Sequence, residues 1–135
     1  MISILIAATL ASFQPAPCEI AGAAADFETA HGVQCGWISV ARRADHPDGP
    51  TIRLWAARLR ASEAPARSDP ILYINGGPGI ATVDSLLPAI PESRNIAMLR
   101  RNRDVILFDQ RGSGRSEEAL CPELGSTLIA IERQG

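Results

Sequence analysis

The chain has 135 residues, 46% of them hydrophobic and 21% charged, with a formal net charge of -2 and a sequence pI near 5.6. That is the composition of one globular domain or of part of a larger one. It offers no basic face for nucleic acid: the arginines are scattered except for Arg100, Arg101 and Arg103, which read as solvated charges at a helix end.

Residues 2 to 10 are almost wholly apolar, and small residues and prolines follow. The run is too short to span a bilayer and matches a secretory h-region, although no positive n-region precedes it. Residues 1–17 are therefore expected to be a signal peptide, cleaved after Ala11 (with Thr9 at the minus-three position) or after Ala16. The chain is then exported, periplasmic or secreted, with no membrane span after signal removal. The alternative is a buried strand or helix. Three cysteines follow, with no CxxC pair and no histidine at zinc-ligand spacing, so neither metal nor cofactor is implied. In an exported chain Cys18 and Cys35 are expected to close a short disulfide loop, which leaves Cys121 to a partner elsewhere. The other reading is three reduced, buried thiols.

"VQCGWISVARR" and "TIRLWAARLR" alternate apolar and polar residues, at Val33, Cys35 and Trp37 and at Ile52, Leu54 and Ala56. The turn chemistry of Asp-His-Pro-Asp-Gly-Pro separates them, which predicts a β-hairpin. "ASEAPARSDP" is a surface loop. "ILYI" is a short, continuously apolar strand, expected to be covered on both faces. Helical pieces broken by Pro88 and Pro91 come next, the better one from Ser93 to Arg101 with Asn102 in the left-handed cap position. "DVILFD" is a fourth strand, and "QRGSGRS" turns out of it. A last helix is expected from Thr127 to Arg133. A hairpin followed by β-α-β implies an α/β fold with a parallel pair of strands. Both glycine-rich stretches then follow strand ends at one sheet edge, the edge where open α/β sheets bind ligands.

Asn75-Gly76-Gly77-Pro78-Gly79 lacks the lysine of a phosphate loop and the spacing of a dinucleotide fingerprint. "GSGRSE" places Glu117 where the third fingerprint glycine belongs. An oxyanion hole fits better. Acyl transfer builds charge on a carbonyl oxygen, backbone N–H groups stabilise it, and glycine permits their close approach. The pair "NGGPG" and "DVILFDQRGSGRS" resembles the proline iminopeptidase and tripeptidyl aminopeptidase group of serine peptidases. These are α/β-hydrolases that carry HGGPG, or Asn-containing versions, and then DQRG-x-G-x-S. "VQCGWISV" and "SEEALCPEL" resemble the exported members, and the likeness covers roughly residues 18 to 125. Asn75 departs from the commoner histidine.

The resemblance implies that residues 18–135 are the N-terminal part of an α/β-hydrolase domain with an incomplete sheet, whose central strands run 1-2-4-3-5. Gly77, with Gly76, is then the oxyanion donor, and Asn75, Pro78 and Gly79 shape its turn. Asp109, Gln110, Arg111, Gly112, Gly114 and Ser116 form a structural loop beside the site. The nucleophile elbow G-x-S-x-G is absent from the sequence. His31 and His46 precede the glycine loop, contrary to the Ser, Asp, His order of this fold. Ser113 and Ser116 lie on the wrong strand to be the nucleophile. The triad and lid are accordingly expected beyond Gly135. The implied activity is an exported serine aminopeptidase that releases N-terminal residues from peptides through an acyl-enzyme. The alternatives are an esterase or other acyl hydrolase, and a truncated, non-catalytic product.

Overall fold

The computed structural model describes residues 13–77 and 79–117. The expected helix at 127–133, Cys121, Pro78 and the apolar run at 2–10 lie outside them.

Among the described residues nine elements follow in chain order. They are β1 (Phe13–Pro15), α1 (Phe27–His31), β2 (Val33–Ala41), β3 (Thr51–Leu59), β4 (Ile71–Tyr73), α2 (Thr82–Leu86), a 3-10 turn (Leu87–Ala89), α3 (Arg94–Leu99) and β5 (Val105–Phe108). The five strands form one sheet in the order β1-β2-β3-β5-β4. Only β4 and β5 pair in parallel, and the other neighbours are antiparallel. β4 is thus an edge strand in this sheet, and the chain after β5 leaves from the same end of the sheet as the chain after β4.

Register decides the core. Cys35 lies opposite Ala57 and Trp37 opposite Trp55 in the hairpin, and Leu59 meets Val105 across the next pair. Cys35, Trp55, Ala57, Leu59, Val105 and Leu107 therefore share a face. Phe27 of α1, Val83 of α2, Leu87 and Ile90 beyond it, and Ile96 of α3 pack onto that face. The apolar set Ile52, Leu54 and Ala56 lies on the opposite face. The run "LWAA" in the middle of β3 is apolar on both faces, so alternation alone does not fix the phase.

β4 corrects one expectation. Leu72 is 59% exposed and Ile74, just past the strand, 48%, so the strand is not covered on both faces. Among the described residues the helices whose side chains join the core all lie on the other face.

Two further expectations change. Asn102 does not take a left-handed conformation, since Glu19 is the one non-glycine residue at positive φ among those described. α3 instead ends at Leu99 with Arg100 as its C-cap, and the Asn102 carbonyl accepts from Arg67 N at 2.8 Å. Nor are the arginines merely solvated charges. Arg100 donates to the carbonyls of Arg60 and His31 at 2.9 and 2.7 Å, Arg101 pairs with Glu63, and Arg103 pairs with Asp69. Together they tether the loop between β3 and β4. Asp104 assists at the β3 end of that loop: its carboxylate accepts from Ala61 N at 2.8 Å and from Arg58.

A disulfide joins Cys18 to Cys35, 17 residues apart, and both cysteines are buried in the core. It pins the segment after β1 to the start of β2. α1 was not foreseen. It is short, but Gly32 closes it in the left-handed conformation and Phe27 anchors it. Among the described residues no helix is long and apolar enough to cross a membrane.

Candidate functional site

The two glycine turns come together at the C-terminal ends of the parallel strands. Tyr73 pairs with Leu107 at the last rung. Beyond that rung, residues 74–77 with 79–80 and residues 109–116 make two turns with the start of α2 between them.

Asp109 is the hub, with 0% of its surface exposed. One carboxylate oxygen accepts from Val83 N in the first turn of α2, at 2.9 Å. Ala81, at the N-cap position, makes no side-chain cap. Asp109 therefore satisfies from another strand a donor that a local Ser or Asp ordinarily takes. The second carboxylate oxygen accepts from Arg115 N at 3.1 Å. Thr82, 1% exposed, faces the other turn and accepts from Asn75 N through Oγ1 at 3.3 Å. A single helix start thus ties Asn75 on one side to Asp109 on the other.

Ser116 closes the second turn. Its hydroxyl donates to the Asp109 carbonyl at 2.7 Å and accepts from Trp55 N at 2.8 Å. The Asp109 N–H in turn donates to the Trp55 carbonyl at 2.9 Å. The Gln110 carbonyl accepts from Ser113 N and Oγ at 3.0 and 2.9 Å. Arg111 reaches the carbonyls of Ala41 and Arg42 at the end of β2. Ser113 and Ser116 are buried, and both hydroxyls bond to the backbone. Gly114 has φ +53, and a Cβ there would overlap the Asp109 carboxylate. Gly112, at φ +72, supplies the other left-handed bend.

Burial pushes the Asp109 carboxyl above its ordinary value of 3.8. The N–H groups of Val83 and Arg115 pull it back in part, and the Asp84 carboxylate pushes it further up. Arg115 partly offsets that repulsion by pairing with Asp84 at 3.2 Å. The same guanidinium lies 5.1 Å from the Trp55 ring centroid and donates to the Glu19 carbonyl at 3.1 Å. The sequence does not mark Thr82, Asp84 or Arg115 as site residues. Their roles arise from long-range pairing, and no local motif carries it.

The first turn is exposed. Gly77 and Gly79 have φ +86 and +83. L-residues pay about 1–2 kcal/mol in the left-handed region, so this path selects glycine twice. Asn75 Oδ1 accepts from Gly76 N at 3.0 Å, and Gly77 O accepts from Ile80 N at 3.3 Å. Among the described residues no acceptor meets the Gly77 N–H. His31 lies in α1 and His46 in the hairpin loop, both outside these two turns.

No protein-family model matches the chain. It is 30% identical over 109 residues to carboxylesterase B of Mycobacterium tuberculosis, and equally to a protein of Mycobacterium bovis named as a hydrolase. The match takes in 81% of this chain and 20% of each relative, so the chain spans about a fifth of their length. The chain is related to hydrolases.

Proposed function

We propose that this chain is the N-terminal part of an exported α/β-hydrolase domain, and that the Asn75–Gly79 turn supplies an oxyanion donor for acyl transfer. The observation that carries the reading is the buried Asp109 bridge. It holds the glycine turn after β4 and the turn after β5 around one helix start, at the edge where such sheets bind ligands. The strand order supports it too. Without β1, the sheet reads first, second, fourth, third, which matches the order the resemblance implies.

In this reading the Gly77 N–H, which meets no acceptor among the described residues, faces the developing oxyanion. The nucleophile, base and orienting acid come from later in the parent protein, and the substrate is a peptide. The two motifs favour removal of N-terminal residues. The carboxylesterase name of the relatives favours a second reading, an ester substrate on the same scaffold. The test uses the full-length parent, assayed side by side on aminoacyl and tripeptidyl p-nitroanilides and on p-nitrophenyl esters, with labelling by a fluorophosphonate. Amide turnover far above ester turnover supports the aminopeptidase, and the reverse order supports the esterase. Failure to label or to hydrolyse either class overturns the acyl-transfer reading.

A further inference from the structure

β1 lies inside the segment that sequence alone assigns to a leader. Its three residues pair with β2, Phe13 opposite Ile38, Gln14 opposite Trp37 and Pro15 opposite Gly36. The pairing continues past the strand, where Ala16 N donates to the Cys35 carbonyl at 3.0 Å. Two residues on, the Cys18–Cys35 disulfide fixes the same stretch covalently.

Gly36 shows that β2 is shaped for this neighbour. Glycine inside a strand weakens it and marks a close backbone approach. Here a Cβ would overlap the Gln14 carbonyl and stand 2.6 Å from the Phe13 ring. Any side chain at position 36 would push β1 away. The glycine has a physical reason only if residues 13–15 stay on the folded protein.

Resting on the export reading above, we infer that the processing site is the Ala11–Ser12 bond, that β1 belongs to the mature protein, and that Ser12 is its first residue. Cleavage after Ala16 would remove β1 and strip the outer edge of β2. It would also put Gln14 at the minus-three position, where small residues are favoured, and Pro17 just after the cut. Cleavage after Ala11 has Thr9 at minus three and keeps the whole paired segment. The reaction is hydrolysis by a membrane-bound signal peptidase. Water's oxygen goes to the Ala11 carbonyl carbon, the C–N bond breaks, and the Ser12 amine takes the proton.

The experiment expresses the full-length parent with its own N-terminus in a bacterial host and determines the N-terminus of the periplasmic protein by sequencing and intact mass. Ser12 is expected. An N-terminus at Pro17 would overturn the site while leaving the export reading intact. Cytoplasmic material retaining residues 1–11 would overturn both. Ala11→Leu should accumulate precursor, whereas Ala16→Leu should be processed as the unaltered protein is; the opposite pattern also overturns the assignment. A parent starting at Pro17 should melt below one starting at Ser12, and equal melting would show that β1 is dispensable.

Discussion

Three glycines at positive φ make different demands, and substitution separates them. At Gly77 and Gly79 the backbone strain is alike, at φ +86 and +83, but a Cβ at 79 meets nothing within 4 Å. Gly79→Ala is therefore the strain-only control for Gly77→Ala in the full-length parent, where a Cβ at 77 would also stand 2.7 Å from the Ile80 side chain. Both should lose about 1–2 kcal/mol of stability. Gly77→Ala keeps its backbone N–H, but the clash with Ile80 must shift the turn that aims it, so this variant alone should also lose kcat, by up to the roughly 10²–10³ that a lost oxyanion donor costs. Equal kcat losses for the two variants would remove Gly77 from the mechanism. Gly114→Ala addresses the other turn. Its Cβ evicts the Asp109 carboxylate, so left-handed strain adds to broken buried hydrogen bonds, and roughly 2–4 kcal/mol should be lost in denaturant unfolding. Asp109 itself has a pH signature. Its folded pKa is raised, so the folded state binds the proton more tightly than the unfolded state between 3.8 and that raised value. Stability relative to Asp109→Asn should grow as pH falls through this window, read from urea midpoints at stepped pH. A flat difference would show that the carboxyl is not strained by burial.

The hairpin, the two parallel strands and α3 are legible in sequence because each carries its own local signal: alternation, a short apolar run, or the Ser93 cap that accepts from Ile96 N at 3.3 Å. β1 is not legible. "FQP" is too short to show a period, and the apolar run before it invites a different reading. α1 is five residues long, and only Gly32 announces its end. The positions of Gly77 and Asp109 are visible as motif residues, but the bridge between their turns depends on the register of β4 against β5. The staple from Cys18 to Cys35 acts at this scale. Closing a loop of 17 residues should contribute about 3 kcal/mol, so Cys18→Ala with Cys35→Ala should lower the unfolding free energy by that order. Asp104 gives the opposite pH trend to Asp109. Burial raises its carboxyl, but the Ala61 N–H and the Arg58 guanidinium outweigh that, and the net shift is below 3.8. Its contribution is present above that value and is lost as pH falls through the folded pKa. Asp104→Asn should therefore be less stable than the unaltered protein at neutral pH, with the gap closing in acid.

Across the whole sheet, one side of β4 has no partner strand among the described residues, and Leu72 and Ile74 stand beside that edge. Unpaired edges with apolar neighbours template association. The chain made alone should aggregate, and Leu72→Lys should raise its solubility without giving it any hydrolysis of anilides or esters. A soluble, active monomer of the unaltered chain would contradict both the boundary and the chemistry proposed above. The bridge at Asp109 also has a bearing on time. It joins residues 26 positions apart, and the first of them is made first. Whenever the chain folds, Val83 waits for its acceptor until the end of β5 has docked beside β4. During that wait the start of α2 lacks its cap and the Asn75–Gly79 turn lacks its brace. The glycine turn is a late product of folding, set by the arrival of one carboxylate, and variants at Asp109 should show their first defect as a slower or less complete refolding step.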